Sequence, residues 1–333
     1  MKKMFIRLFL LFLPLVLIVT FFITLDPMKI IHHYDNPLEI GVLMNDRHYQ
    51  AEYLNQNHIP YHSFICGSSR SKMFKTPHWK QYLGSDTICF HLGVNDESLW
   101  GIMKKLQYID LQGYQIKHCL ITMDYRLLRD IENNDAHIFR DHPIVSGETY
   151  PEYYKFFFIA FINPEFLKSY LDWIRTHNYK PEMQNYIWKE HYTYDKATGD
   201  IYYTEYDSLL QLSEDDYYMR KKEIFYYRDT ALVKQKVKDV LTEHTHSYLV
   251  EIKKLFDKHH TDYRIIITPN YDQIALSVGD YDTIQKIFGA QYIINHSGIN
   301  AVTSNPRNFY EAKHFRPYIA DSLMKEVYSI PAP

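Results

Sequence analysis

A chain of 333 residues, 46% of them hydrophobic, is long enough to bury one large core or two smaller ones. Its 37 Lys and Arg against 40 Asp and Glu leave a formal charge of −3 and no basic block, so there is no electrostatic case for nucleic acid as a partner. The 31 tyrosines imply many rings packed on one side with the hydroxyl kept wet, on surfaces or in clefts.

The chain opens on MKKMFIRLFLLFLPLVLIVTFFITLDP, where Lys2, Lys3 and Arg7 precede an uncharged run from Leu8 to Leu25. At about 1.5 Å per residue this run roughly spans a bilayer's hydrocarbon core, with Arg7 snorkelling to the interface. It ends without the small-residue pattern of a signal-peptide cleavage site, so a retained signal anchor, a transmembrane helix within residues 1–28, is expected. The positive flank keeps the N-terminus cytoplasmic and exports the rest of the chain, with the lipid bilayer as a partner. Residues 29–60 read as a polar, aromatic linker packing onto the domain. Cys66, Cys89 and Cys119 are odd in number and flanked by bulky apolar residues, which suits small buried hydrophobes.

From residue 61 to about 330, short apolar runs alternate with helical patterns. SFICG (63–67), TICFHLG (87–93), HCLITMD (118–124), YRIIITP (263–269) and AQYIINHSG (290–298) read as strands. Helices are expected near 76–83, 97–111 and 229–259. Continuous Ile/Val/Leu runs separated by helices mark a parallel sheet covered on both faces. The fold class is therefore α/β: a doubly wound, flavodoxin-like, mainly parallel sheet whose site lies at the carboxyl ends of its strands. Residues 130–228 break the rhythm and are dense in Tyr, Phe and Trp. They read as an insertion capping the carboxyl edge, with a hairpin around Ala197-Thr198-Gly199-Asp200; most of its rings suit a small core of its own.

Two stretches carry chemistry. Gly67-Ser68-Ser69-Arg70 follows the first strand: the glycine permits a tight turn, and a serine there is exposed at the sheet edge with its own N–H available to an oxyanion. No phosphate loop is formed, because G-x-x-x-x-G-K-[ST] is absent. Near the other end, Glu311-Ala312-Lys313-His314 spaces a carboxylate three residues ahead of an imidazole, on one face of a turn. Glu311 can then hold His314 in the tautomer that accepts a serine proton. Each stretch alone has a plainer reading, as an ordinary turn and as a surface pair at a helix start. The histidine pairs 32–33, 244/246 and 259–260 show no metal motif and read as solvated, so neither metal nor cofactor is implied.

Together, a strand ending in Gly-x-Ser, a glycine after the second strand and a late acid-x-x-His resemble the SGNH/GDSL hydrolase superfamily. The likeness is nearest to its membrane-anchored, exported branch, which handles acyl groups on cell-envelope polysaccharides. The resemblance implies Ser69 as nucleophile, with Ser68 in place of the usual Asp, His314 as general base and Glu311 as its orienting acid. It further implies the N–H groups of Ser69 and Gly93 as oxyanion donors. The third block departs from the pattern: Thr122-Met123-Asp124-Tyr125 stands where Gly-x-Asn-Asp is usual, and an ionised Asp124 repels an oxyanion unless protonated or turned away. Asn95 is a candidate substitute donor, and Arg70 and Asp124 are candidate substrate contacts.

Two functions follow as expectations. One is an exported serine esterase or O-acyltransferase acting on an acylated sugar or envelope polysaccharide. The other is an accessory protein of the same fold, without chemistry of its own, that binds envelope glycans or assists a membrane acyltransferase.

Overall fold

The structure is a computed structural model that describes residues 2–34, 41–133, 136–188, 192–223, 225 and 236–331, with the side chains of residues 2, 3, 5–9 and 236 outside that set. The chain divides into two compact units, one formed by Met1–Ala51 with Asp135–His191, the other by Glu52–Asn134 with Tyr192–Pro333. The insertion expected at 130–228 thus contributes to both. In chain order the longer helices are α1 (Lys2–Leu25), α2 (Asp46–Asn57), α3 (Leu99–Leu111), α4 (Tyr150–Phe161), α5 (Pro164–Thr176), α6 (Glu243–His259), α7 (Val278–Phe288) and α8 (Pro317–Ser329).

The first unit is built on aromatic packing. Phe22 of α1 lies 5.2 Å from Phe161 and 5.5 Å from Phe158 of α4, ring centre to ring centre. Phe157, Phe166 and Tyr170 complete a core with Met28 and Ile30. The start of each helix is written in its sequence. The Thr149 side chain accepts from Glu152 N and the Asn163 side chain from Glu165 N, each cap being followed by a proline in the first turn. Beyond the end of α1, the Asp26 carboxylate accepts from the backbone N–H groups of Ile30 (2.9 Å), Ile31 (2.9 Å) and His32 (2.8 Å) and fixes the exit of the chain. Among the described residues no helix is long and apolar enough to cross a membrane. The transmembrane run expected from Leu8 begins among side chains outside the described residues.

The second unit holds the sheet. Strands β1 (Ser63–Cys66), β2 (Cys89–His91), β3 (His118–Met123), β4 (Asp262–Ile267) and β5 (Ile293–Asn295) are all parallel and lie in the order 2-1-3-4-5. Successive side chains point to opposite faces, and nearly every strand residue is buried, so both faces are covered. That is why the strands read as unbroken apolar runs. The order places β1 and β3 side by side at the centre, where chain direction across the sheet reverses and a crevice opens at the carboxyl ends. Cys66, Cys89 and Cys119 are buried and form no disulfide, and the Cys119 thiol donates to Cys66 Sγ (4.0 Å).

The helix expected over 229–259 starts instead at Glu243. The Thr242 hydroxyl accepts from Thr245 N and the Thr245 hydroxyl accepts from Thr242 N, a reciprocal cap that stops the helix from extending backwards. Residues Lys236–Lys238 form a short strand parallel to Ile274–Leu276, and 226–235 lie outside the described residues. The hairpin occurs as expected, with Thr193–Asp195 pairing antiparallel with Asp200–Tyr202.

One buried ion pair supports the carboxyl edge. Lys105 on α3 donates to Glu97 (2.5 Å) and to the carbonyl of Leu92 (3.1 Å), the residue before Gly93. Both side chains are buried, so removing one partner strands a charge. Lys105→Met is expected to lower the unfolding free energy in urea by about 3–5 kcal/mol, with much of the loss recovered in the Glu97→Gln/Lys105→Met double variant. Equal stability of the parent and Lys105→Met would show that the pair carries no such weight.

Candidate active site

β1 stops at Cys66, and the chain turns through Gly67 into a short 3-10 helix, Ser69–Met73. A Cβ at Gly67 would lie 2.0 Å from Thr122 Oγ1 of β3, so only glycine lets the two central strands end this closely. Val94 N donates to Gly67 O (3.2 Å), which ties this turn to the end of β2. Ser69, the first residue of the 3-10 turn, is half-buried at the sheet edge.

The second half of the site comes from Phe309–Glu311 and His314–Phe315, two short antiparallel strands. Glu311 and His314 sit directly opposite each other across the tight turn. The sequence spacing put the pair on one face of a turn, and the turn joins these two short strands. His314 Nε2 lies 2.8 Å from Ser69 Oγ, while its Nδ1 bonds to Glu311 Oε1. Lys313 N donates to the other Glu311 oxygen (2.8 Å). Burial pushes the Glu311 carboxyl up, but His314 and the Lys313 amide outweigh it and hold the carboxyl below its ordinary range. An ionised Glu311 accepts a hydrogen bond from His314 Nδ1–H, and in that tautomer the Nε2 lone pair faces the Ser69 hydroxyl. Phe315, next to His314, packs edge-on against Phe74, at the end of the Ser69–Met73 turn (6.0 Å). Tyr203 lies 5.9 Å from the His314 ring and 5.8 Å from that of Tyr310.

The remaining residues singled out from the sequence fall around this pair. Gly93 follows β2, and a Cβ there would lie 1.8 Å from Ser71 Oγ. Asn95 is exposed, and its side-chain oxygen accepts from Lys72 Nζ (2.9 Å). Arg70 and Asp124 meet each other: the guanidinium donates to Asp124 Oδ2 (2.5 Å), and both are buried. Asp124 Oδ1 accepts from the backbone N–H groups of Arg126 (2.7 Å) and Leu127 (3.0 Å). The carboxylate that threatened an oxyanion is thereby neutralised and turned into a structural cap at the end of β3.

Sequence reasoning missed a second polar cluster beneath the first, made by Ser71, His91 and Asp200. The available signal was His91 itself, an ionisable residue inside the apolar run TICFHLG. Beside it, Lys75 donates to the carbonyls of Lys72 and Ile201, joining the nucleophile's turn to the hairpin. Burial pushes its ammonium down to about 8.

Neither a protein-family model nor a curated protein matches this chain. The site therefore speaks through its geometry: a hydroxyl, an imidazole and a carboxylate in one hydrogen-bonded line, the arrangement that activates a serine for nucleophilic attack.

The Glu311 carboxyl carries a pH signature. Its folded pKa is lowered, so the native state binds fewer protons here than the unfolded chain. The stability this contributes is present above the unfolded value near 4.3 and is lost as pH falls through the folded value. Urea titrations from pH 7 downward should show Glu311→Gln lacking that part of the acid dependence, and superimposable slopes for the two proteins would contradict it.

Proposed function

We propose that the protein is an exported, membrane-anchored serine esterase or O-acyltransferase that acts on acylated sugars of the cell envelope, with an SGNH-type site. The observation that carries this reading is the 2.8 Å contact between Ser69 Oγ and His314 Nε2, with Glu311 on the far side of the ring. Ser69 Oγ bonds to the acyl carbon as its proton passes to His314 Nε2. The carbonyl electron pair moves to the oxygen, held by the N–H groups of Ser69 and Gly93. When the tetrahedral adduct collapses, the leaving alcohol departs with the proton from His314. Water or a sugar hydroxyl then gives its proton to His314 and attacks the acyl carbon; the ester bond to Ser69 Oγ breaks, His314 returns the proton to that oxygen, and the acid or acylated sugar leaves. No cofactor enters the scheme.

A second reading, an accessory protein of the same fold that binds envelope glycans or assists a membrane acyltransferase, is favoured by one observation. Asp124 stands where an amide donor is usual, and it is committed to Arg70 and two backbone N–H groups. A fluorophosphonate probe separates the two. The enzyme is expected to label at Ser69, with no labelling in Ser69→Ala and at least a ~10³-fold slower rate in His314→Ala. A folded parent protein that takes no label is the result that favours the accessory role.

The proposed anchor rests on the apolar run from Leu8 to Leu25 and on outward-facing Leu10, Leu11, Phe12 and Leu15 in α1. The hydroxyls of Thr20 and Thr24 donate to Val16 O and Thr20 O (2.8 Å each), as a hydrocarbon environment requires of them. Full-length protein is expected to stay in the membrane pellet after alkaline carbonate extraction, and recovery in the supernatant would sink the anchor.

A further inference from the structure

Ser71 Oγ lies 2.7 Å from Ser68 O and 3.0 Å from His91 Nε2, and His91 Nδ1 lies 3.0 Å from Asp200 Oδ1. Asp200 Oδ2 accepts from Thr76 N (2.9 Å) and Thr76 Oγ1 (2.7 Å). These are the residue types of a Ser-His-Asp triad, but substrate has no way in: Ser71 and Asp200 are 0% exposed and His91 1%. A second reaction centre is therefore excluded. Burying three polar side chains is unfavourable unless their hydrogen bonds specify something.

What they specify is one peptide plane. Ser68 C=O and Ser69 N–H belong to the same rigid, planar unit and point in opposite directions. Ser71 N–H donates to that carbonyl (2.8 Å), and the Ser71 hydroxyl stands between the carbonyl (2.7 Å) and His91 Nε2 (3.0 Å), with one proton for the two. Held by the amide and bridged by the hydroxyl, the plane has little freedom to rotate, so the direction of Ser69 N–H is set from below. The same two side chains also underlie Gly93: a Cβ there would lie 1.8 Å from Ser71 Oγ and 2.7 Å from His91 Nε2. The hairpin closes the device, since Thr198 O accepts from His91 N (2.7 Å) and Asp200 stands at the start of its second strand.

We infer that Asp200, His91 and Ser71 are positioning residues that pin the Ser68–Ser69 peptide and aim Ser69 N–H at the acyl oxygen, an inference that rests on the acyl chemistry proposed above. Ser71→Ala tests it, because it removes one hydroxyl and leaves Ser69, His314 and Glu311 in place. Fluorophosphonate labelling of Ser69 should slow about 10- to 100-fold, as for a misaimed oxyanion donor. The pH midpoint of labelling should not move, because Ser69, His314 and Glu311 are unchanged. His91→Gln should slow labelling by a similar factor and the double variant no further, because members of one hydrogen-bonded unit do not add. Should His91→Gln fail to fold, Ser71→Ala decides alone. Ser71→Ala labelling at the parent rate, or slowing with a shifted pH midpoint, overturns the positioning role. A folded parent protein without label instead overturns the acyl chemistry itself.

Discussion

Everything at the candidate site depends on one closure: a hydroxyl on the first turn after β1 meets an imidazole 245 residues further along the chain. Closing so long a loop is entropically unfavourable but only logarithmically so, and the sheet absorbs that cost. Once β1 is central, its carboxyl end must open into the crevice, and the chain returns there after β5, before α8. Phe74 against Phe315 then holds the two turns together through apolar contact, so that the polar meeting need not hold itself.

Beneath this closure lies a layer of buried polar pairs. Arg70 with Asp124 and Lys105 with Glu97 are ion pairs, and His91, whose pKa burial lowers, is hydrogen-bonded to Asp200; each links the end of one element to another. Buried pairs add little net stability over apolar replacements, but breaking one is expensive. Their value here is geometric. Arg70 locks the turn that carries Ser69 to the end of β3, Lys105 locks the carbonyl before Gly93, and His91 locks the hairpin to β2. The carboxyl edge is thus fixed from three directions.

The helices and strands were legible where periodicity and capping agree. The five sheet strands stood out as apolar runs because both faces of the sheet are covered. The helix before β4 was read too long because the Thr242–Thr245 reciprocal cap competes with a helical pattern that continues through it. Glu311 and His314 were legible as partners from spacing alone, although a strand turn and not a helix brings them together. That Asp124 is paired with Arg70 was not legible, since the two lie 54 residues apart in the chain.

The amino-acid sequence by itself determined the class of sheet and the tight turn at Gly67 and singled out a candidate acid and base, because these are local matters of pattern, steric freedom and side-chain chemistry. Only the tertiary structure decided which hydroxyl faces His314, that Asp124 is neutralised, and that Ser71, His91 and Asp200 form a buried chain. Each of those outcomes depends on which distant strand ends become neighbours, and hydrogen bonds act only over about 3 Å, a distance that separation along the chain does not reveal.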